Sequence, residues 1–401
     1  MFKLGGNVVK ILLYGIIGLS LFVGVHLNNQ RLSEEEHNRL RIWVTEDEYT
    51  VLKEQNPIFE QQHDAIIEME IIPSEQAIAR LPLTIGTSDY PDIINVSHTM
   101  ISEFVGRNLL TPITEIFGDL NILPTAKPAF KVMGEFYGIP FDSQTNILFY
   151  NRLNFPDGIE ALEIMEHPER FSLAIDYRSV YHSFPFITGF GGYAVGLNNF
   201  GDINFYDIGL NKEKSVQGIE HMARLLDERV IGGTELDIYQ AFIEGSSNIL
   251  IAPSAIFESL RQEMPTVGFQ AIPNFISNEI PYTYMRIKTY QLTKHVKNEE
   301  LAIEYLKFLM SDEVATARNF IYGAVAPINY DTIISQDPYH LVVKMQLHRS
   351  IPLPNQAEFN YLYLPFNQAS RQLVRNLEDA QEILNQAVRE IDNHINTLRK
   401  E

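Results

Sequence analysis

The opening of the folded part constrains the architecture more than any other feature. Leu40 to Val44 is an apolar run suited to a buried strand, Thr45 or Asp47 can cap a helix after it, and Ile67 to Ile72 alternates as a second strand should. A short helical stretch around Ser74 to Leu81 is expected to stop at Pro82. The run from Ser88 to Val96 then breaks the chain and starts another buried strand. This β-α-β-α order implies α/β architecture, a parallel sheet with helices on both faces. Ligands of open sheets bind beyond the carboxyl ends of the strands. That rule puts Thr45, Glu46 and Asp47, and then Val96, Ser97, His98 and Thr99, on one cleft wall.

A second informative stretch runs from Gly138 to Asn151. A Gly-Ile-Pro turn opens it, a polar run follows (Asp142, Ser143, Gln144, Thr145, Asn146), and an apolar strand from Ile147 to Tyr150 closes it. Pro140 keeps the backbone out of a regular helix, while the polar run supplies side-chain donors and acceptors. Such a segment suits the wall of a cleft between two lobes, or equally a surface turn leading into a buried strand.

Composition narrows the function. With 401 residues there is chain enough for two cores, and the formal charge of −20 with no cluster of Lys and Arg argues against a nucleic-acid surface. No cysteine is present, which excludes disulfides, thiolate metal sites, a cysteine nucleophile and a lipidated N-terminal cysteine. Lys3 and Lys10 precede an uncharged apolar run from Ile11 to Val25. Without small residues of the Ala-x-Ala kind after it, the run reads as an uncleaved membrane anchor more than as a signal peptide, with the body of the chain outside the cytoplasm. Asn28 to Leu40 would then be a tether of roughly 45 Å at full extension.

Further along, Arg178 to Tyr193 is rich in aromatics and glycine. Helices are expected over Lys214 to Arg229, Asp237 to Glu244, Asn298 to Met310 and Asp312 to Phe320, with strands over Asn248 to Ile251, Gly268 to Pro273 and Tyr284 to Leu292. Asn367 to Arg399 reads as one long amphipathic helix, its stripe of Leu373, Leu377, Ala380, Leu384, Ala387, Ile391, Ile395 and Leu398 packing on its own domain.

Several strings, in this order, carry a family resemblance. They are Arg41-Ile42-Trp43, Tyr90-Pro91-Asp92-Ile93-Ile94, Gly138-Ile139-Pro140 with Phe149-Tyr150-Asn151, and Phe184-Pro185. Glu300-Leu301-Ala302 with Phe308-Leu309, and Gly323-Ala324-Val325-Ala326-Pro327, complete the set. Together they resemble the extracellular solute-binding proteins of ABC importers, in the maltodextrin-binding-like (family 1) group, over about residues 40–401. The resemblance implies a two-lobed periplasmic-binding-protein-like fold of the class II type, with a hinge of crossing strands and a ligand cleft between the lobes. Residues 40–143 and 287–335 would form the first lobe, and 147–283 and 340–401 the second.

By the same resemblance, Asp142, Gln144 and Asn146 would face the cleft from the first crossover, and Tyr181, His182, Phe257 and Tyr363 would stand at or near aromatic positions. Glu46, Asp47 and His98 would line the first lobe. Tyr284 and Arg286 sit where the chain recrosses, and Arg286 can pair with an acidic ligand group or with Asp142. The chain departs from the maltodextrin binders in having one tryptophan, Trp43, inside the first strand, and Thr99-Met100 in place of a charged pair. A carbohydrate other than maltose is the expected ligand, with a non-sugar solute as the alternative.

No enzyme is expected. Glu46, Asp47 and Asp142 are candidate glycosidase carboxylates, but among 51 acidic residues they have no distinguishing pattern. No G-x-S-x-G string occurs, the histidines lack metal-ligand spacing, and Gly191-Gly192 and Gly232-Gly233 have no phosphate-loop context. The expectation is an importer's binding subunit with permease subunits as partners and no cofactor or metal. The alternative is a membrane-tethered sensor with the same fold.

Overall fold

The computed structural model describes residues 38–199, 202–227, 230–231, 234–329 and 337–398. The apolar run Ile11 to Val25 and nearly all of the expected tether lie outside those residues, as do Gly232 and Gly233. The chain clusters into two compact units, residues up to 95 with 292–309, and 96–291 with 310–401.

The first unit is the parallel arrangement that the alternation implied. β1 (Arg39–Val44) lies between β2 (Ile66–Ile71) and β3 (Ile93–Ser97), parallel to both. Helix Glu46–His63 follows β1 with three acidic residues in its first turn, where they complement the helix dipole. Thr45 occupies the N-cap position but makes no side-chain cap bond. The helix after β2 spans Ser74–Thr84 and passes through Pro82 instead of stopping at it. It ends two residues later, so only the last turn meets the missing N–H and the ring.

The Tyr90-Pro91-Asp92 string has a structural task in this unit. The Asp92 carboxylate accepts hydrogen bonds from the Arg41 N–H (2.9 Å) and the Lys297 N–H (3.1 Å), and the Thr293 hydroxyl donates to the Pro91 carbonyl (2.7 Å). Trp43 is buried, with the Arg80 guanidinium 5.3 Å from its ring centre.

The second unit holds two small antiparallel pairs, β4 (Lys131–Val132) with β5 (Glu135–Phe136) and β8 (Val195–Leu197) with β9 (Ile203–Ile208). Its main sheet is built on β6 (Ile139–Asn151), with β7 (Leu173–Ala174), β10 (Ile249–Pro253), β11 (Val267–Gln270), β12 (Thr283–Leu292) and β13 (Ser350–Pro352). β6 runs antiparallel to β12 along its first half and to β10 and β11 along its second, while β7 pairs with β10 and β13 with β12, both parallel.

The polar run is therefore strand, not loop: β6 begins at Ile139, eight residues before Ile147, and Asp142, Ser143, Thr145 and Asn146 are buried within it. Pairing with β12 satisfies the backbone there. Pro140, which has no N–H to donate, sits opposite Thr289 where the β12 register shifts.

The back face of this crossing is a buried hydroxyl network. The Thr145 hydroxyl contacts those of Thr283 (2.6 Å) and Ser350 (3.0 Å), and Ser350 donates to the Gln346 carbonyl (2.7 Å). Gln346, on helix Pro338–Leu347, donates to Thr283 (3.2 Å) and accepts from the Ile272 N–H (2.9 Å). Each member has a partner, so burial carries no unsatisfied penalty.

The C-terminal stripe belongs to two helices, not one. Tyr363–Leu373 and Ala380–Leu398 are separated at Asn376, whose backbone (φ −148°, ψ 79°) is not helical and whose amide donates to Asp379 (2.5 Å). Folding back lets the second helix bury Leu384, Ala387, Ile391 and Ile395 against the first and against helix Glu213–Leu225. The stripe does pack within its own unit, as expected.

Candidate functional site

Side chains alternate along a strand, so Asp142, Gln144 and Asn146 share one face of β6. The register sets Lys288 opposite Asp142 and Arg286 opposite Gln144, two cross-strand pairs on one sheet face. The β6–β12 ladder ends at Met285 and Thr145, and Asn146 pairs with Pro253 of β10.

Both ends of this face are closed. The Lys288 ammonium meets Asp142 Oδ2 at 3.0 Å, and Asp142 Oδ1 accepts from the N–H groups of Ser143 (2.8 Å) and Val325 (3.2 Å). Burial pushes the Asp142 carboxyl above its ordinary range, against the pull of Lys288 and the two backbone donors. Of the two partners open to Arg286, Asp142 is already taken: Lys288, two residues on, holds that position. Asp142, with the Ser143 hydroxyl on the Val325 carbonyl (2.5 Å), ties the Gly323-to-Pro327 string to β6.

At the other end, Asn146 donates to the Tyr181 carbonyl (3.3 Å) and accepts from His182 Nδ1 (3.2 Å). Tyr284 is sandwiched there, stacked 3.9 Å from Phe184 with Phe359 edge-on at 5.5 Å.

The Gln144–Arg286 pair between them is open. Gln144 is half-buried and Arg286 is exposed, inside a strand whose other residues are buried apart from half-buried Lys288. The Arg286 guanidinium lies 4.9 Å from the centre of the Tyr181 ring, and its charge draws the Tyr363 hydroxyl pKa down against the larger effect of burial. Tyr181 is buried and Tyr363 half-buried. Burial raises the hydroxyl pKa of Tyr181, Tyr284 and Tyr363, so all three stay neutral donors. Burial likewise lowers His182 to about 4, with Arg286 adding to the effect and Asp176 opposing it.

Helix Val180–Gly189 delivers Tyr181, His182 and Phe184, and helix Tyr363–Leu373 delivers Tyr363. Seven expected residues therefore come together: Gln144, Asn146, Tyr181, His182, Tyr284, Arg286 and Tyr363. Asp142 joins them as a buried ion-pair partner.

The others stand elsewhere. His98 is fully buried, its Nδ1 accepting from the Ile287 N–H (3.0 Å) and its Nε2 donating to the Leu353 carbonyl (2.9 Å), so no ring nitrogen remains for a ligand. Phe257 stacks on Tyr339 at 4.0 Å with Phe269 edge-on at 5.0 Å, a core position. Glu46 and Asp47 are exposed at the start of their helix in the first unit. Lys288 and Phe359 escaped the sequence reading, and Phe184 entered it only as part of the Phe184-Pro185 string. The alternation Tyr284, Arg286, Lys288 and the three-residue step from Tyr181 to Phe184 were the available signals.

Among the described residues no group of His, Asp and Glu can hold a metal ion, and no helix is long and apolar enough to cross a membrane.

Comparison with known proteins places this geometry. The chain is 23% identical over 401 residues to the galactooligosaccharide-binding protein of Bacillus subtilis (strain 168), covering 94% of both. It is 23% identical over 282 residues to the maltodextrin-binding protein of the same organism, covering 65% of this chain and 66% of that one. Among solved structures, a cyclo/maltodextrin-binding protein complexed with maltotetraose superposes with a TM-score of 0.80 at 19% identity, over 89% of this chain and 97% of the other. An extracellular solute-binding protein from Staphylococcus aureus in complex with maltose gives 0.80 at 17% identity, over 90% and 98%. The fold is thus the two-lobed α/β fold of the maltose-binding proteins. The family model for bacterial extracellular solute-binding proteins matches residues 58–338, and the chain belongs to that family.

Proposed function

We propose that this chain is an extracytoplasmic oligosaccharide-binding protein that delivers its ligand to an ABC-type importer and performs no chemistry on it. The observation that carries the reading is the open Gln144–Arg286 pair, flanked by Tyr181 and Tyr363 on a face otherwise closed. An amide and a guanidinium offer directed donors to sugar hydroxyls, and an aromatic ring packs on the apolar face of a pyranose. The names of the two Bacillus relatives, which bind galactooligosaccharides and maltodextrin, support the ligand class. The absence of hydrolysis is supported by Asp142, the one carboxylate on this face, being held by Lys288 and two N–H groups.

The division into lobes at 40–143 with 287–335 and 147–283 with 340–401 is part of this proposal, as is attachment through Ile11 to Val25. The intact mass of membrane-extracted protein tests the attachment, since cleavage would remove the apolar run. Calorimetric titration with galactooligosaccharides and maltodextrins tests the binding. Tyr363→Ala is expected to weaken affinity about tenfold or more, from the lost ring contact with the ligand. Unchanged affinity in Tyr363→Ala would remove this face from the proposal.

A further inference from the structure

Arg286 carries a charge that its surroundings leave unanswered. Asp142 is taken up by Lys288 at 3.0 Å, and Asp176 by Arg178 at 2.7 Å. Among the described residues no carboxylate lies within ion-pair distance of Arg286, which lies over the Tyr181 ring and acts electrostatically on Tyr363. This lone cation stands exposed on a chain whose formal charge is −20. The Tyr181 ring lies against the guanidinium and leaves the N–H groups of a planar fork for another acceptor.

We infer that Arg286 pairs with an anionic group on the ligand, so that the site takes acidic oligosaccharides in preference to neutral ones. The inference rests on the oligosaccharide reading above and narrows it. A hydroxyl can accept a hydrogen bond from the fork, but only an oxyanion supplies both the geometry of a bidentate pair and the missing counter-charge. With its ring partner in place before binding, less side-chain freedom is left to lose. His182, kept neutral by burial, adds no second cation to the site. Arg286 thus gives this face one positive charge without a carboxylate beside it, enough for one acidic sugar unit.

The test uses the full-length protein and matched saccharide pairs that differ only in charge. Trimers of galacturonate, glucuronate and mannuronate are compared with their methyl esters, and sulfated galacto-oligosaccharides with their unsulfated forms. The expected result is an acidic member bound about tenfold or more tighter than its neutral partner, a ratio that shrinks as salt is raised. The ratio should fall towards one in Arg286→Gln and partly survive in Arg286→Lys, which keeps the charge and loses the fork. Preference confined to the uronates identifies a carboxylate as the recognised group, and preference confined to the sulfated sugars identifies a sulfate. Equal binding within every pair overturns the inference and leaves the oligosaccharide reading standing. A preference that Arg286→Gln leaves unaltered also overturns it, and silence towards every saccharide overturns both.

Discussion

Gly138→Ala is expected to destabilise the second unit by about 3 kcal/mol or more, the sum of two costs at the start of β6. Gly138 has φ +67°, a left-handed conformation that costs a residue with a Cβ roughly 1–2 kcal/mol. A Cβ there would lie 2.1 Å from the Gln291 amide and 2.5 Å from the Tyr290 carbonyl oxygen, and the second of these is backbone that cannot swing away. Forcing atoms into such a packed site costs typically about 1–3 kcal/mol more. Gly86 is the control, because it has φ +79° but nothing within 4 Å of its Cβ position. Urea unfolding of Gly86→Ala should show only the conformational cost of about 1 kcal/mol. Equal losses in the two variants would mean that the close approach of β6 to β12 at this point is not as described.

The second large effect is a loss of stability in mild acid that originates at His98. Its folded-state pKa is lowered from 6.5 to about 4, chiefly by burial, while its two backbone hydrogen bonds oppose the shift. A depressed value means that the unfolded chain takes up the proton first. The stabilising contribution is therefore complete above pH 6.5 and is lost as pH falls through that value to about 4, a difference worth about 3 kcal/mol. His182 and His221, each at about 4, act in the same direction. Asp92 and Asp142, raised by burial, act in the opposite one. The contrast with His98→Gln isolates the single group, since glutamine can accept from the Ile287 N–H and donate to the Leu353 carbonyl without titrating. Unfolding free energies of the variant should fall less steeply than those of the parent between pH 6.5 and 4. Parallel pH profiles would rule out His98 as the source.

What the sequence made legible follows from the range of the interactions involved. β1, β2 and β3 were readable because each is a short apolar segment between breakers, and their parallel order follows from the helices between them. Gln144, Asn146, Tyr181, Tyr284, Arg286 and Tyr363 could be named because a strand or helix position can be read from its neighbours. Their roles could not. Whether Arg286 or Lys288 meets Asp142 is a question of register between strands more than a hundred residues apart, and a two-residue slip keeps the same face. The polar run hid the start of β6 because its burial depends on β12 and on the hydroxyl partners Thr283 and Ser350, which local alternation does not show. The break at Asn376 was invisible for a related reason. Leu373, Leu377 and Ala380 keep helical spacing straight across it, so periodicity carries no mark of a turn.

The wiring of β6 and of the first unit also fixes when this protein can fold. β6 ends at residue 151, yet its partners lie at 249–253, 267–270 and 283–292. The first unit likewise closes only with residues 292–309, some two hundred residues after its own third strand. A chain emerging from the ribosome can therefore form its local helices early but neither core until about three-quarters of its length is available. Contacts of such sequence separation are slow to close, and the unfinished chain carries unpaired strand edges in the meantime. Synthesis halted anywhere before residue 292 leaves both units open, and the shortened product should be degraded instead of accumulating as a folded fragment.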